Sequence, residues 1–213
     1  MKNRLTRRFV FLAALLIAGA GLAISPKARA DEAPDAMIAR LSQDVLDTIK
    51  ADKSLQSGNL ARVMALADSK VMPYVDFRRM TAAAAGPAWR RATPAQQQQL
   101  QDEFKTLLVR TYSNGLRQVS NQTVQVQPMR AAPGDQEVVV RTFIRGSGEP
   151  VQMDYRLYKT PGDGTGWKVY DFNVMGIWII DTYRSQFAQQ INAGGIERLL
   201  QTLTELNKSN SAR

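Results

Sequence analysis

The amino-acid sequence predicts an α+β domain in which a curved antiparallel sheet of four or five strands is wrapped by about six helices. Three observations carry this prediction: a helical period from residue 34 to residue 119, a period of two from residue 123 to residue 174, and a return to the helical period after Gly176. Helices that precede and follow an antiparallel meander in the sequence can pack together over one face of its sheet. We therefore expect an apolar space between sheet and helices, and the residue pattern leaves open whether it is packed or hollow.

The first 30 residues have the pattern of a cleavable signal peptide. Positive charges in residues 1–8 precede an apolar run over residues 9–24, and Ala28-Arg29-Ala30 has the small-x-small form of a cleavage site. The apolar run is shorter than the roughly 20 residues that span a bilayer. We expect export, by the Sec or the twin-arginine route, of a single domain over residues 31–213 that ends in a polar tail over residues 207–213.

Removing the leader changes the charge of the chain. The leader carries six positive charges and no acid, so the net charge falls from +9 to +3. A charge of this size does not indicate a nucleic-acid-binding protein, which needs a concentrated basic face. It is compatible with anionic lipid surfaces.

The chain contains no cysteine and no histidine. Disulfides, the usual zinc sites, cysteine nucleophiles and histidine-dependent catalytic triads are therefore excluded. Chemistry is then left to Asp, Glu, Lys, Tyr or a bound cofactor, and we expect no metal site.

Helical segments fill the first half of the mature chain. An N-cap threonine and a glutamine three residues later form a predicted capping box at Thr93 and Gln96, and Asn114-Gly115 provides an early stop for the helix that follows. The predicted helices cover residues 34–52, 60–71, 77–85 and 93–119.

Alternating segments separated by hairpin-length turns predict an antiparallel meander. The predicted strands cover residues 123–127, 136–145, 151–158 and 167–174. In the last strand, strict alternation places Trp167, Val169 and Asp171 on one face, which we expect to point inward. A helix follows Gly176, ends near Asn192-Ala193-Gly194, and a final helix covers residues 196–206.

Several motifs, in one collinear order, give the chain a recognisable signature. They are Asp76-Phe77-Arg78-Arg79-Met80, Trp89, Thr93-Pro94-Ala95-Gln96, Phe104, Leu107-Leu108-Val109-Arg110-Thr111-Tyr112, Tyr155-Arg156-Leu157, Trp167-Lys168-Val169-Tyr170-Asp171 and Tyr183-Arg184-Ser185-Gln186-Phe187. With these motifs the chain resembles the MlaC family, the periplasmic phospholipid-binding proteins also known as toluene-tolerance proteins. One departure is Met175-Gly176-Ile177-Trp178, where the family usually has an acidic residue, then Gly before a small polar residue.

The resemblance implies a fold like nuclear transport factor 2, with a deep pocket for phospholipid acyl chains. It also implies a monomeric periplasmic carrier, with phospholipid as cargo rather than cofactor. Its implied partners are an outer-membrane lipoprotein-porin complex and an inner-membrane ABC transporter with a periplasmic lipid-binding subunit. Such a carrier maintains the lipid asymmetry of the outer membrane.

Apolar residues aimed at the space between sheet and helices are the candidate acyl-chain contacts, and some of them are expected to be ordinary core. These candidates are Val71, Val75, Phe104, Leu108, Tyr112, Val140, Met153, Tyr155, Val169, Met175, Ile177 and Ile180. Two pairs of cations, Arg90 with Arg91 and Arg141 with Arg145, are candidates for a phosphate contact, with solvated surface cations as the alternative reading.

Two other classes of function fit the sequence. Folds of this shape host isomerases whose base is an acid in the pocket, and Asp171 or Asp154 would be that base. A structural hydrogen bond to backbone is the other use we expect for Asp171. The second alternative is an interaction module without a ligand, in which the sheet or the helix after Thr93 forms the docking surface.

Overall fold

The structure is a computed structural model that describes residues 32–129, 132 and 134–209 of the 213-residue chain. The predicted signal peptide over residues 1–30 lies outside the described residues, as does the end of the predicted tail, residues 210–213. One compact unit spans Asp31–Arg213.

The described residues form six α-helices, in line with the predicted number, although the short second helix is not predicted and the sixth joins two predicted helices. Asn59 accepts a hydrogen bond from the Arg62 N–H at the start of the third, and the predicted capping box of Thr93 and Gln96 is present at the start of the fifth. The helices are α1 Pro34–Ala51, α2 Lys53–Gln56, α3 Leu60–Leu66, α4 Phe77–Ala85, α5 Pro94–Ser113 and α6 Ile179–Ser209. A π turn, Ala67–Val71, follows α3, and 3₁₀ turns cover Met72–Tyr74, Gly86–Arg91 and Asn114–Gln118.

The sheet formed by the described residues is a five-stranded antiparallel meander in the order β1-β2-β3-β4-β5. Its strands are β1 Thr123–Val126, β2 Glu137–Arg145, β3 Val151–Lys159, β4 Trp167–Val174 and β5 Ile177–Trp178. Val75 forms a parallel bridge with Val169 and so lies beside the free edge of β4. The predicted fold class is confirmed.

A β-bulge in β4 changes which side chains share a face. Arg156 lies opposite Asp171 but Leu157 lies opposite Val169, so Tyr170 is the extra residue. One inserted residue moves the side chains that follow it to the other face of the sheet. The prediction that Asp171 shares the inward face with Val169 is therefore wrong: Asp171 lies beside Arg156 on the outer face, and Phe172 points inward opposite Tyr155.

Helix α6 is divided by a break at Gly194 and Gly195, where the sequence predicts a stop and a restart. Gly195 has φ +73°, a left-handed conformation that favours glycine. The second part of α6 continues to Ser209 and buries Asn207, whose amide nitrogen donates to the Glu103 carbonyl. The polar tail therefore begins later than the predicted residue 207.

Three apolar clusters form the interior. The helical cluster joins α4, α5 and α6 around Phe104, and the sheet cluster joins α1 to the inner faces of β2, β3 and β4 around Val140 and Leu157. A third, smaller cluster links α1, α2 and α3 through Ile49, Leu55 and Val63. Within the described part of the chain, no helix has the length and apolar character needed to cross a bilayer.

Candidate functional site

The inner face of the sheet is apolar and lies against α1. Direct cross-strand pairs place Val140 beside Tyr155 and Thr142 beside Met153, and Tyr155 pairs in turn with Phe172. The buried Thr142 side chain donates to the Met153 carbonyl at 2.9 Å, so its hydroxyl is satisfied. The face therefore presents hydrocarbon to the helices.

The structure divides the twelve candidate acyl-chain residues into three groups. Six belong to or pack against the sheet cluster: Val71, Val75, Val140, Met153, Tyr155 and Val169. Three belong to or pack against the helical cluster: Phe104, Leu108 and Ile180. The remaining three are exposed: Tyr112, Met175 and Ile177.

Met175 and Ile177 do not lie between the sheet and the helices. They flank Gly176 in the turn between β4 and β5, where Met175 is 71% exposed and Ile177 is 60% exposed. The alternating pattern of β4 suggested an inward direction, but the two-residue turn carries both side chains to the surface. Tyr112, near the end of α5, is also exposed, and partial burial raises the pKa of its hydroxyl.

Large apolar side chains lie between the helical and sheet clusters without being fully buried. Phe77 and Phe172 pack against both clusters, and each is half-buried. Leu108, which packs against the helical cluster, and Met153, which packs against the sheet cluster, are half-buried as well. These four side chains therefore leave part of their hydrocarbon surface uncovered.

Phe77 and Phe172 are absent from the sequence-based candidates. Phe172 was missed because strict alternation assigns it to the outer face, and only the bulge at Tyr170 turns it inward. Phe77 belongs to a motif quoted above, and an aromatic residue next to the N-cap Asp76 was a usable signal.

Tyr155 brings a hydroxyl into the apolar inner face. The residue is 7% exposed, and burial raises the pKa of its phenol, while hydrogen bonds with the side chains of Ser42 and Thr142 oppose that shift. The hydroxyl is therefore neutral and partnered at physiological pH. Tyr155 contributes its ring to the apolar surface without adding a charge.

On the outer face, Asp171 ties β3, β4 and α6 together. One carboxylate oxygen accepts from Arg156 Nη1 at 2.9 Å, and the other accepts from the backbone N–H groups of Phe172 and Ile180 at 2.9 and 3.1 Å. Ile180 is in the first turn of α6, where a negative charge complements the helix dipole. The Arg156 guanidinium also stacks over the Trp178 ring, 3.8 Å from its centroid.

A second outer-face cluster is centred on Arg79 of α4. Its guanidinium lies 4.4 Å from the Tyr158 ring centroid and 3.9 Å from that of Tyr170, and it donates to Glu137 at 2.6 Å. The Tyr158 hydroxyl donates to Asp76 at 2.6 Å, and the Tyr170 hydroxyl donates to Glu137 at 3.0 Å. Two of the sequence motifs, those of Asp76 to Met80 and Trp167 to Asp171, meet here, and their residues Asp76, Arg79 and Tyr170 fasten α4 to the sheet.

The pKa values in this second cluster follow its contacts. The Arg79 guanidinium lowers the pKa of Glu137. Burial, and then the hydrogen bond to Asp76, raise the pKa of Tyr158 to about 12. The hydroxyls of Tyr158 and Tyr170 therefore keep their protons, and Glu137 keeps its charge, near neutral pH.

The two acids of the enzyme hypothesis both lie on the outer face. Burial raises the pKa of Asp171, which is the direction a general base would need, but its oxygens are occupied by Arg156 and two backbone N–H groups. The expected structural hydrogen bond of Asp171 to backbone is confirmed. Asp154 accepts from Gln152 Nε2 at 3.0 and 3.2 Å. Neither carboxylate faces the apolar junction.

The four candidate headgroup cations are exposed, and the two pairs lie on different elements of the fold. Arg90 and Arg91 end the 3₁₀ turn after α4. Arg141 lies on the outer face, 4.0 Å from Asp154. Arg145, at the end of β2, donates to Gln125 at 2.6 Å. Whether either pair meets a phosphate therefore stays a prediction.

A separate surface pocket of about 200 Å³ lies between α5 and the two parts of α6. It is lined by Leu107, Gln186, Phe187, Gln189, Gln190, Leu199, Thr202, Leu203 and Leu206. Its three glutamines and Thr202 add polar groups to an otherwise apolar lining. Within the described residues, no group of three or more acids is placed to hold a metal ion.

Comparison with known proteins adds independent findings. The family model for MlaC protein matches residues 39–205. The chain is 28% identical over 167 residues to the toluene tolerance protein ttg2D of Pseudomonas putida, covering 78% of this chain and 76% of that protein. It is 21% identical over 180 residues to the intermembrane phospholipid transport system binding protein MlaC of Haemophilus influenzae, covering 83% of each. A solved structure of a phospholipid-binding protein from Ralstonia solanacearum, in complex with a phospholipid, is similar with a TM-score of 0.79 and 48% identity, over 83% of this chain and 98% of that one.

Proposed function

The chain belongs to the MlaC family, and from that premise we propose that it is a periplasmic carrier that holds the acyl chains of a phospholipid at the junction between its sheet and its helices. The observation that carries the proposal is the half-buried hydrocarbon of Phe77 and Phe172, which pack against both clusters, together with that of Leu108 and Met153, which pack against one cluster each. The similar Ralstonia solanacearum protein, solved in complex with a phospholipid, supports the same ligand class.

The free energies explain why a carrier of this kind needs a dry interior. A diacyl lipid has on the order of 30 methylenes, and at about 0.8 kcal/mol each, roughly 24 kcal/mol opposes its passage through water. A junction lined by hydrocarbon removes most of that barrier. Because a bilayer solvates the same chains equally well, transfer between membrane and protein is near balance.

The proposed role is therefore to shuttle lipid between an outer-membrane lipoprotein-porin complex and an inner-membrane ABC transporter with its periplasmic lipid-binding subunit. A nearly balanced transfer has no preferred direction of its own. Net direction must come from these partners or from ATP hydrolysis in the transporter. The carrier itself needs no cofactor and works as a monomer.

The headgroup contributes little to the proposed binding. The candidate cations Arg90, Arg91, Arg141 and Arg145 are exposed, and an exposed ion pair contributes at most about 1 kcal/mol. We therefore expect weak selectivity among headgroups. A binding assay that found a strong preference for one headgroup at equal chain length would contradict this part of the proposal.

The proposal is tested by mass spectrometry of an organic extract of the gently purified mature protein. We expect phospholipid in a near-stoichiometric amount. An exported protein of similar size, purified in parallel from the same cells, gives the background. An extract no richer in phospholipid than this background would contradict the carrier function.

A further inference from the structure

Two large apolar side chains project from one turn. Met175 and Ile177 are 71% and 60% exposed, and they are two of the five large apolar side chains that the described residues expose. Only Gly176 separates them. This concentration is unusual because exposed apolar residues are normally scattered singly over a surface.

The backbone of this turn holds Met175 in an unfavourable conformation. Val174 pairs with Ile177 across a two-residue loop in which Met175 has φ +52° and Gly176 has φ +88°. A loop with two positive φ values favours Asn-Gly. Met175 is the one non-glycine residue with positive φ in the described part of the chain. Since its side chain is exposed, packing does not explain why a methionine is held there.

The turn is fixed by hydrogen bonds. The Met175 N–H donates to the Gln152 carbonyl at 3.0 Å, and the Gly176 N–H donates to the Asn173 side chain at 2.8 Å. Its position relative to β3 and β4 is therefore set. The backbone of Met175 is held in a strained conformation while the side chains of Met175 and Ile177 are exposed. This combination points to a contact outside the molecule.

An apolar row connects this turn to the interior. Met153 pairs with Val174 and Val174 pairs with Ile177, so the three side chains lie on the same inner face. Exposure rises along the row: Tyr155 is buried, Met153 and Val174 are half-buried, and Ile177 is mostly exposed. Hydrocarbon therefore continues from the sheet cluster to the tip of the turn.

The charge near the turn suits an anionic surface. The end of β2 lies at the same end of the sheet as the end of β4, and it carries Arg145. Within the described residues, Arg145 has no carboxylate at ion-pair distance; its guanidinium lies 5.9 Å from the Phe143 ring centroid. A cation without an acidic partner adds attraction to anionic lipid headgroups.

We propose that the turn between β4 and β5 is a membrane contact, in which Met175 and Ile177 enter the boundary between headgroups and acyl chains of a phospholipid bilayer. The inference rests on the proposed carrier function and adds the place where lipid passes between membrane and protein. A stable protein interface buries about 800 Å² on each partner. A tip of two side chains is too small for such an interface but large enough to enter a bilayer. The apolar row then leads an acyl chain from the bilayer towards Met153.

Spin labels test the contact directly. The chain has no cysteine, so Met175→Cys and Val139→Cys each give one labelling site. Val139 is the matched control because it is an apolar residue, 41% exposed, on the outer face of β2. On vesicles of phosphatidylethanolamine and phosphatidylglycerol, we expect the label at 175 to become accessible to oxygen and protected from a water-soluble nickel complex. The label at 139 should stay in water.

The rate of phospholipid uptake from vesicles provides the second test. Met175→Asn with Ile177→Thr removes both apolar tips but keeps residues suited to the turn and the strand. We expect lipid-free protein with these changes to take up a fluorescent phospholipid from vesicles on the order of ten-fold more slowly, with Val139→Thr at the unmodified rate. Equal thermal unfolding of all three proteins checks that the fold is kept.

The proposal is overturned if the label at 175 stays as exposed to water as the label at 139, or if the doubly substituted protein takes up lipid at the unmodified rate. A defect that appears only when a protein acceptor is added would also overturn it, in favour of protein docking. Failure of the carrier function has a different signature: the unmodified protein then takes up no lipid, while the labels still report on membrane contact.

Discussion

The outer and inner faces of β2, β3 and β4 differ in how completely their side chains are held by hydrogen bonds, ion pairs and ring contacts. On the outer face, Asp171 and Arg79 each hold several partners at once. On the inner face, Met153 and Phe172 are half-buried and no polar group fastens them. The outer face therefore stabilises the fold, and the inner face is left available for a ligand.

The comparison also explains the sequence motifs. Arg156 and Asp171 stand out in the sequence because they combine charge with aromatic neighbours, and such residues suggest a binding site. In the structure they form an ion pair at the start of α6, in which Asp171 is buried and Arg156 is half-buried. The most conspicuous motif residues thus position the helices, and plain hydrocarbon forms the candidate site.

The largest expected effect is on the outer face. Asp171→Ala removes the partner of Arg156 and two acceptors of backbone N–H groups, so we expect the free energy of unfolding to fall by about 3 kcal/mol. Chemical denaturation of the lipid-free protein measures this loss. Asp171→Asn keeps one acceptor for Ile180 and should lose less. Equal losses for both variants would show that the contacts with the backbone N–H groups contribute nothing to the free energy of unfolding.

A charge on the inner face should reduce the amount of bound phospholipid strongly and the stability only slightly. Met153→Asp places a carboxylate against the acyl chains, so we expect bound phospholipid to fall at least ten-fold, which corresponds to about 1.4 kcal/mol. Because Met153 is only half-buried, the lipid-free protein should lose little stability. Lipid per folded protein is measured by mass spectrometry.

The control for this charge is Val139→Asp, on the outer face of β2. It introduces the same carboxylate on the same sheet and should leave bound phospholipid unchanged. If both substitutions reduced the bound lipid equally, the assignment of the inner face as the ligand face would fail.

A smaller effect is expected at Arg79. Arg79→Ala removes a stack on Tyr158 and Tyr170 and a partly exposed ion pair with Glu137, so the free energy of unfolding should fall by about 1 to 2 kcal/mol. Arg79→Lys keeps the charge without the planar stack and should recover part of this loss. Recovery of the whole loss by lysine would mean that charge alone matters there.

The smallest effect concerns pH. The pKa of Tyr158 in the folded protein is about 12, above the usual 10 of a tyrosine, so the folded state holds this proton more tightly than the unfolded state. The resulting stability is present below pH 10 and is lost as the pH rises towards 12. Tyr158→Phe should therefore show a shallower decline of thermal stability over this range. If thermal stability declined identically with and without the substitution, the loss of stability above pH 10 would come from groups other than Tyr158.

Much of the fold follows from the sequence because periodicity and caps act locally. The capping box at Thr93, the stop near Asn114 and the break near Gly194 all lie where local chemistry predicts them. The bulge at Tyr170 is different, since it depends on how β3 and β4 pair. One unpredicted residue was enough to exchange the faces of Asp171 and Phe172.

The candidate site is less predictable than the fold for the same reason. Nine of the twelve candidate residues lie in or against the two large apolar clusters, because apolar residues at regular spacing do turn inward. The turn at Met175 interrupts the spacing and brings Met175 and Ile177 to the surface. Which buried residues contact a ligand depends on small gaps in packing, and spacing carries no information about gaps.

Photo-crosslinking from the two faces of the sheet tests the central claim most directly. Benzoylphenylalanine is introduced at position 153 on the inner face or at position 139 on the outer face, and the protein is irradiated with phospholipid bound. We expect a phospholipid adduct through the acyl chains at position 153 and none at position 139. Adducts of equal yield at both positions, or at position 139 alone, would contradict it.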